Sequence, residues 1–386
     1  MSDTKTKTVK DAVHDHIQVE DVALDLLDTP EMQRLRHIRQ LGTAYLVYPS
    51  ANHTRFEHSL GVYHLAKKAM KSLGVDGRDA EAISAASLLH DVGHTPFSHT
   101  VEDVVEEYTG KRHDEVDGIL EGNISEVLEN HDLDPHRIAR LIRGEGRLGQ
   151  IVSGKLDVDR MDYLVRDAHH TGVPYGTIDS TRLILELELH DGDLVLGEGN
   201  VQTAEALLIA RSLMHPTVYS HHVARISKAM LKRATRRLVE TTDLTGDDVR
   251  RMDDHQLVVS LRQSPETADL GRRIVERRLY KRAVWEPYQR LPNSVEDGAS
   301  VRDFEDEIGS EAGVDPRRII LDVSPPPEID ETSASVLVDG DKKTIDEASR
   351  LVGDLRASLV DQWKYGVYCP QEDIEDVASA FESLCV

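Results

Sequence analysis

An adjacent His-Asp pair at the end of an apolar helical segment is the feature that most constrains this chain. Residues 82–89 are apolar apart from two serines and predict a helix that runs into His90-Asp91, which a Gly-His-Thr-Pro turn at 93–96 follows. Imidazole and carboxylate are the mixed nitrogen and oxygen ligands that suit a divalent metal beside a phosphate substrate. The pair therefore predicts a metal site. The alternative is a helix end at which the two side chains only cap or solvate the backbone.

Other histidines and carboxylates are placed where they can complete such a site. Seven of the 19 histidines lie between residues 53 and 113. His58 falls near the start of a predicted helix, where a lone histidine would more often be structural. Asp159, Tyr163 and Asp167 recur one and two turns apart in a later predicted helix, so they share a face and Asp159 can supply a fourth ligand. Surface ion pairing at i,i+4 spacing is the alternative for that face.

Two arginines stand beside these candidates. Arg55 is placed to offer a bidentate guanidinium fork to phosphate oxygens, and Arg160 follows Asp159 directly. The basic residues between 272 and 282 form a further local cluster that fits a polyphosphate.

Composition limits the class of protein. The 386 residues, 39% of them hydrophobic, suffice for one large core or for one core with a smaller domain. Two cysteines cannot form a disulfide framework, which favours a reducing, cytoplasmic compartment. The first twenty residues are polar and no window holds 18 uninterrupted apolar residues, so we expect neither a signal peptide nor a membrane span.

The formal net charge of −24 indicates adaptation to high salt. Only 14 of the 46 basic residues are lysines, and the acids are spread along the chain instead of forming a tail. An acidic surface for a basic partner is the alternative. The same charge disfavours non-specific binding to nucleic acid.

Periodicity predicts a mainly α fold with short β-hairpins and a small α+β C-terminal region. The N-terminal part is expected to begin with a strand-turn-strand at 9–20 and a helix that starts at Asp28 or Thr29 and has apolar residues at 32, 35, 38 and 41. Short helices are expected at 119–120, 124–128 and 138–142, and a hairpin within 183–197. A helical region at 202–240, broken at Pro216, and a helix at 257–283 follow. The C-terminal part is expected to contain a linker formed by residues 291–293 and Gly298, strands at 318–323, 334–338 and 364–368, a rigid break at 325–327 and a helix at 345–359. Residues 1–290 would form the catalytic core, with its metal-binding part at about 37–240, and residues 291–386 the small region.

The order His58, His90-Asp91, Asp159 resembles the signature of the HD-domain phosphohydrolases. More narrowly, the chain is similar to the deoxynucleoside-triphosphate (dNTP) triphosphohydrolase branch, which includes an enzyme that pairs a sterile-alpha-motif domain with the HD domain; we find no such extra domain in this sequence. The resemblance covers roughly residues 7–283 and, more weakly, the C-terminal region. The matching stretches are 28–36, 40–42, 55–61, 90–99, 157–170 and 279–281.

The resemblance implies a set of site residues. A divalent metal (iron, manganese or magnesium) would be held by His58, His90, Asp91 and Asp159. The scissile bond would be lined by His94, His99, His113 and Asp114. The triphosphate would be held by Arg55, Arg160 and Tyr163, and the deoxyribose would be received by Gln40, Leu41, Asp167 and Tyr219, with Arg211 and His215 as further pocket residues. Gln40 and Asp167 would bond the 3′-hydroxyl, while Leu41 and Tyr219 would leave no room for a 2′-hydroxyl.

The resemblance also implies regulation by a guanine nucleotide. Asp28, Gln33 and Arg36 fall where regulated relatives read guanine, although their spacing alone indicates only a solvated helix face. The activator phosphates would be held by Lys7, Arg277 and Lys281. Two positions depart from the regulated pattern: Lys10 replaces an Asn, and Asp114 replaces a Glu. Because activation accompanies assembly in such relatives, we expect a dimer or a tetramer.

The expected reaction is hydrolysis of a dNTP to a deoxynucleoside and inorganic triphosphate, in which water attacks the α-phosphorus and the 5′-oxygen leaves. One alternative is an HD phosphohydrolase or phosphodiesterase that acts on monophosphates or cyclic nucleotides, and a preference for ribonucleotides would favour it. Another is a single-stranded nucleic-acid-binding or nucleotide-sensing module without turnover, which the complete set of predicted metal ligands disfavours.

Overall fold

A computed structural model describes residues 6–385 apart from 293, 294, 296, 297, 325 and 327–329. Its described residues contain 19 α-helices and nine β-strands. The helices are α1 Asp21–Leu27, α2 Pro30–Arg34, α3 Arg55–Leu73, α4 Gly77–Leu89, α5 Glu102–Thr109, α6 Asn123–Asn130, α7 Pro135–Ile142, α8 Gly146–Val152, α9 Val158–Thr171, α10 Ser180–Leu185, α11 Val201–Met214, α12 His222–Thr241, α13 Gly246–Arg251, α14 Asp254–Gln263, α15 Ala268–Val275, α16 Gly298–Ala312, α17 Ile345–Ala348, α18 Arg350–Asp361 and α19 Ile374–Leu384. The strands are β1 Thr6–Asp11, β2 Asp15–Glu20, β3 Leu187–His190, β4 Asp193–Leu196, β5 Lys281–Pro287, β6 Ile320–Asp322, β7 Ser335–Val338, β8 Asp341–Thr344 and β9 Lys364–Cys369.

The mainly helical prediction is confirmed, and the chain divides into two compact units. The first comprises residues 1–220, 244–257 and 330–353, and the second comprises residues 221–243, 258–329 and 354–386. The predicted division at residue 291 stays a prediction. Within the described residues, no helix combines the length and the hydropathy needed to cross a lipid bilayer.

Helix α3 forms the centre of the first unit, where it packs against α4 and α9. It begins at a capping box in which the Thr54 amide donates to Glu57 Oε2 at 2.5 Å, and it ends at Gly74 in the left-handed conformation. Its apolar residues Leu60, Val62 and Leu65 are almost completely buried. Because α3, α4 and α9 are fixed by this shared core, side chains at their ends are held in defined positions.

Two sheets belong to the first unit. Strands β1 and β2 form an antiparallel hairpin with Val9 opposite Ile17. The order β3-β4-β7-β8 describes a four-stranded sheet in which two hairpins are joined by parallel pairing of β4 with β7. Part of the segment expected to be C-terminal therefore completes a sheet of the first unit.

The second unit contains the antiparallel sheet β5-β9-β6. Helices α16 and α19 cover it, and its core includes Phe304, Ile308, Val367 and Phe381. Glu305 on α16 is buried and accepts bonds from Arg233 and from the Leu321 amide, so the helix is fixed by polar contacts as well.

Several predicted elements differ from the structure in extent. Helix α2 ends at Arg34, and a 3-10 helix at Leu35–His37 follows it. The predicted helix does not continue to residue 41, because the backbone at Ile38 is extended and the Gln40 amide bonds the His53 carbonyl. Residues 119–120 form a turn and not a helix. The predicted helix at 345–359 is split by Ser349, which is extended and bonds Glu205.

Other differences concern segments that were assigned to another class. Residues 183–185 belong to α10, so the hairpin begins only at Leu187. Residues 281–283 lie in β5 because they pair with β9. Gly298 begins α16 instead of ending a linker, and strand β8 and helix α19 were not predicted. Asn293 of the linker and Pro325 and Pro327 of the predicted break lie outside the described residues.

Candidate functional site

Four predicted metal ligands come together from three helices of the first unit. His58 lies near the start of α3, His90-Asp91 follow the end of α4, and Asp159 lies in the first turn of α9. The His58 Nε2 atom is 2.8 Å from Asp159 Oδ1, 3.3 Å from His90 Nε2 and 3.8 Å from Asp91 Oδ2. Residues that are up to 101 positions apart thus present two nitrogens and two carboxylates to one point.

The hydrogen bonds behind the two imidazoles fix how they face this point. The His90 Nδ1 atom is 2.8 Å from the Ser87 carbonyl, which can only accept, so Nδ1 carries the proton and Nε2 offers a lone pair. The His58 Nδ1 atom is 2.7 Å from Asp162 Oδ2, which has the same effect. Two lone pairs that face each other beside two carboxylates need a cation between them, so these residues fit a divalent metal.

The charge balance of the pocket leads to the same conclusion. Burial alone would lower the pKa of His58, but its hydrogen bonds with Asp159 and Asp162 raise the pKa to about 10. Burial acts to raise the pKa of Asp91, yet the neighbouring Arg55 and histidines hold it well below its ordinary value. Without a metal, a proton on His58 supplies the positive charge that the carboxylates demand.

A buried charged network stands behind His58. Asp162 is fully buried and accepts bonds from Arg166 Nε at 2.8 Å and from Arg166 Nη2 at 3.0 Å. Its Oδ1 atom is also 2.6 Å from His14 Nε2, in the turn between β1 and β2. Gly61 leaves the space for this network, because a Cβ there would lie 1.9 Å from Asp162 Oδ1. The N-terminal hairpin therefore contacts the outer side of the metal pocket.

Arg55 is buried but its fork is already engaged. Its Nη1 atom donates to both Asp91 oxygens at 2.9 and 3.0 Å, and Nε donates to Ser98 Oγ at 2.8 Å. The guanidinium thus orients a predicted metal ligand and adds positive charge beside it.

The three predicted catalytic histidines form a cluster around one buried carboxylate. Glu102 Oε2 is 2.6 Å from His99 Nδ1, and Oε1 contacts His113 Nδ1 and accepts the His113 amide at 3.0 Å. His94 Nε2 is 3.1 Å from Asp91 Oδ1, which joins this cluster to the metal pocket. Asp114 is half-buried, and its side chain makes no hydrogen bond within the described part of the chain.

The members of this cluster differ in their affinity for a proton. Burial is the largest influence on His94 and holds its pKa well below the ordinary value, so it is neutral. Burial would also lower the pKa of His113, but its hydrogen bond with Glu102 raises it above the ordinary value. The cluster therefore places a neutral and a readily protonated imidazole side by side.

Nitrogens of His94, His99 and His113 lie within 4.8 Å of one another, as do ligand atoms of His58, His90 and Asp159. The His94 and His113 rings, however, are stacked with centroids 4.3 Å apart and planes 13° apart. Lone pairs lie in the ring plane, so stacked rings cannot both direct one at a single ion. This geometry suits a metal ion held by His58, His90 and Asp159 and does not suit one held by the stacked His94 and His113.

Of the predicted sugar residues, Tyr219 contacts Asp167, which is buried. The Tyr219 hydroxyl donates to Asp167 Oδ2 at 2.9 Å, and His53 Nε2 is 2.8 Å from Oδ1. Gln40 is also buried, and its Oε1 atom has no hydrogen-bond partner within the described residues. Leu41 is half-buried in the turn that follows. An unpartnered buried acceptor is costly, so this position suits a ligand that brings a donor.

The remaining predicted substrate residues are on the same unit. Arg160 is held by Asp157 and by the Gly154 carbonyl. Tyr163 on α9 lies edge-on to Tyr219 with ring centroids 6.3 Å apart. Arg211 is on α11, and His215 begins the π-helical turn that follows it, where its Nδ1 atom is 2.9 Å from Ser220 Oγ.

The predicted regulatory residues fall into separate groups. Gln33 Nε2 donates to the Leu27 carbonyl at 2.6 Å, and Arg36 Nε donates to Gln33 Oε1 at 2.8 Å. Asp28 is exposed at the end of α1, and Lys7 is exposed on β1, where Lys10 pairs with Asp15. In the second unit, Arg277 and Lys281 line a cavity of about 330 Å³ together with His222, Arg282 and Gln371.

Sequence reasoning missed several residues that support the site. Glu102, His53 and Asp162 were given no role, although each contacts a predicted site residue, and His14 was given none although it contacts Asp162. Glu102 follows His99 by three positions in the sequence, a spacing that could have suggested the contact. His14 and His53 carry no local signal, because their partners lie more than 100 residues away.

A helical fold with a buried His, His-Asp, Asp pocket defines a metal-dependent phosphohydrolase of the HD class. Comparison with known families agrees: residues 55–167 match the HD domain, and residues 178–385 match the HD associated region. The chain belongs to the HD-domain family. HD domains bind divalent metals, and the geometry above gives the residues that fit one.

Individual relatives support the assignment over nearly the whole chain. An uncharacterized protein of Methanocaldococcus jannaschii is 35% identical over 96% of this chain and 81% of its own length. A solved structure of a hypothetical protein from Aquifex aeolicus aligns with a TM-score of 0.80 at 30% identity, covering 98% of this chain and 100% of that one. Human deoxynucleoside triphosphate triphosphohydrolase SAMHD1 is 30% identical, but the match covers 62% of this chain and only 46% of that protein.

Proposed function

We propose that this protein hydrolyses dNTPs to a deoxynucleoside and inorganic triphosphate. The observation that carries the proposal is the contact between the metal pocket and the histidine cluster, His94 Nε2 to Asp91 Oδ1 at 3.1 Å. This contact supports a catalytic centre in which a bound cation and a proton donor would lie side by side. The likeness to SAMHD1, whose name states this activity, supports the choice of substrate.

The metal ligands, His113 and His94 would have separate roles in the reaction. A divalent metal, when bound by His58, His90, Asp91 and Asp159, would neutralise charge on the phosphate oxygens. His113, whose pKa is raised by its bond to Glu102, gives a proton to the departing 5′-oxygen. His94 stays neutral beside Asp91 and orients the attacking water with its Nδ1 atom, which has no hydrogen-bond partner among the described residues. As the water oxygen bonds to the α-phosphorus and the 5′-oxygen leaves, the proton that the water loses passes through His94 to solvent.

The sugar pocket accounts for a deoxyribose. Asp167 has both carboxylate oxygens oriented, one by His53 and one by Tyr219, and it can accept the 3′-hydroxyl on a remaining lone pair. Gln40 Oε1 is an unpartnered acceptor for the same hydroxyl. We infer that Tyr219, pinned by its bond to Asp167, closes the space that a 2′-hydroxyl would need.

We further propose activation by a guanine nucleotide read by Asp28, Gln33 and Arg36. The Arg36 guanidinium lies 3.6 Å above the Phe56 ring, so its orientation is already fixed and needs little ordering on binding. The cavity lined by Arg277 and Lys281 suits phosphates. Assembly into a dimer or tetramer would accompany activation, and light scattering with and without GTP measures it.

Product analysis tests the reaction. Metal-loaded protein is incubated with each dNTP singly and as a mixture, with and without GTP, in molar salt because the charge of −24 predicts salt adaptation. We expect deoxynucleoside and triphosphate in equal amounts. Release of pyrophosphate or orthophosphate without triphosphate would contradict the proposal, and a preference for ribonucleotides or cyclic nucleotides would favour the broader phosphodiesterase alternative. Tight oligonucleotide binding without turnover would favour the binding module.

A matched pair of variants tests the regulation. Asp28→Ala should abolish stimulation by GTP while bound metal is unchanged. Asp25→Ala is the control, because Asp25 is an exposed acid on α1 whose side chain, among the residues that the structure describes, bonds His131. Equal rates of the parent protein with and without GTP would remove the basis for an activator site.

A further inference from the structure

We propose that Arg34 is a positioning residue, which fixes the loop that bears Asp91 and His94 in place against helix α2. The inference rests on the proposed function. It adds a physical link between the segment predicted to read guanine, residues 28–36, and the catalytic loop at residues 92–94. Arg34 is the last residue of α2 and lies directly between Gln33 and the short helical turn that carries Arg36.

The guanidinium of Arg34 contacts the catalytic loop through backbone carbonyls. Its Nη2 atom donates to the His94 carbonyl at 2.6 Å, and Nη1 donates to the Val92 carbonyl at 3.3 Å. These carbonyls flank Gly93, where an added Cβ would lie 2.0 Å from the His113 carbonyl. Because the loop touches the backbone of His113 so closely, the position of this loop sets His94 and His113 together.

The same guanidinium holds the end of α13. It donates to the carbonyls of Arg250 at 2.7 Å, Arg251 at 3.0 Å and Met252 at 3.2 Å. These are helix-end carbonyls that lack partners within the helix, and a cation is favourable at that end. Arg34 thereby joins three segments of the first unit: α2, the loop at 92–94 and the end of α13.

The chemistry of the contact suits positioning better than simple stabilisation. Within the described residues no carboxylate forms a hydrogen bond or an ion pair with Arg34, although the charges of Asp253 and Asp254 act on it. Desolvation is the larger influence and lowers its pKa to about 10, so it stays charged at neutral pH. All five of its hydrogen bonds go to backbone carbonyls. A planar guanidinium can donate to several carbonyls in fixed directions, which an ammonium cannot reproduce.

The loop itself needs to be held. Phe97 and Ser98 have φ of 56° and 57°, and consecutive non-glycine residues in the left-handed region are strained. Asp254 holds this turn from one side by accepting the Phe97 amide at 2.6 Å. Arg34 binds the preceding carbonyls of Val92 and His94. A movement of Gln33 or Arg36 would therefore move the loop through the Arg34 side chain.

The test uses Arg34→Lys in the full-length, metal-loaded protein, with Arg78→Lys as control. Arg78 also donates to a backbone carbonyl, that of His131, but on the exposed surface. We expect kcat for dNTP hydrolysis to fall about tenfold, KM to stay within about threefold and bound metal to be unchanged, because misplacement affects the chemical step more than binding. Stimulation by GTP should fall in parallel.

Hydrogen exchange gives a readout that does not need activity. Amides of residues 92–98 should exchange faster in Arg34→Lys, while those of α3 and α9 keep the parent rates. If the parent protein lacks triphosphohydrolase activity but Arg34→Lys still shows faster exchange at residues 92–98, the proposed function is wrong and the positioning role remains supported. If Arg34→Lys does not fold, Arg34→Gln replaces it, since Gln retains two donors without a charge. Parent kcat and parent exchange in either variant would overturn the inference, as would equal losses of metal, stability and rate.

Discussion

The metal pocket and the histidine cluster are built from similar residues but organised in opposite ways. In the pocket, His58 and His90 are each backed by a separate acceptor, Asp162 or the Ser87 carbonyl, and their free nitrogens face each other. In the cluster, His99 and His113 share one carboxylate, Glu102, and His113 stacks on His94. Facing lone pairs suit a cation, whereas stacked rings around one acid suit proton transfer. Residue type alone does not separate these two functions.

Removing a metal ligand should have the largest effect. His58→Gln should lose most of the bound metal and lower the hydrolysis rate about a thousandfold, because a charge-neutralising group worth several kcal/mol is lost. Metal per chain is measured by elemental analysis after dialysis, and His136→Gln on the exposed face of α7 is the control. Full metal occupancy in His58→Gln would show that the cation binds elsewhere.

The pocket could be predicted from the sequence better than the cluster's support could. His90 and Asp91 are neighbours, and Asp159 shares a helix face with Tyr163 and Asp167, so local spacing indicates what each can reach. The resemblance to HD phosphohydrolases supplied the pairing with His58 and the roles of the three catalytic histidines.

What could not be predicted depends on contacts between distant segments. Arg34 reaches residues 216–218 positions away, and His14 reaches Asp162 across 148. Neither contact follows from periodicity. Arg34 lies on a polar helix face and His14 lies in a turn, and the local sequence pattern is the same whether or not other segments pack over such residues. Helix α16 was missed for a different reason: its apolar residues at 301, 304 and 308 have helical spacing, but Gly298 was taken as part of a linker.

Glu102→Gln should have the second-largest effect and should leave the metal in place. We expect kcat to fall about a hundredfold, within the range of general acid–base catalysis. The Glu102 bond raises the pKa of His113, so His113 keeps its proton to higher pH than an ordinary histidine. Without the carboxylate that pKa falls, and the alkaline limb of the kcat–pH profile should move to lower pH.

The control for this change is Glu106→Gln, since Glu106 lies one turn further along α5 and is exposed. An unchanged profile with lower kcat would mean that Glu102 only fixes ring orientation. Loss of metal in Glu102→Gln would erase the distinction between the two regions.

Asp162→Asn should act on the pocket alone and more weakly. Asn keeps the shape of Asp162 but removes the negative charge that orients His58 and strengthens it as a ligand, so metal affinity should fall about tenfold. Competition with a chelator on metal-free protein measures the dissociation constant, and Asp191→Asn in the exposed β3–β4 turn is the control. The pH position of the kcat profile at saturating metal should stay where it is, since His113 does not contact Asp162. An unchanged dissociation constant would mean that the negative charge of Asp162 is not needed to orient His58.

The smallest effect is expected one shell further out, at His14. His14→Ala removes one of the four hydrogen bonds to the Asp162 oxygens, while Arg166 and His58 keep theirs, so metal affinity should fall only about threefold. His16→Ala is the matched control because His16 lies on the same hairpin with its side chain 58% exposed. A graded loss from His58 through Asp162 to His14 would show that the pocket is supported as far as the N-terminal hairpin. If His14→Ala lowers metal affinity as much as Asp162→Asn does, the N-terminal hairpin and not Arg166 fixes Asp162. A ligand bound at Lys7 on β1 could then change metal affinity through His14 and Asp162.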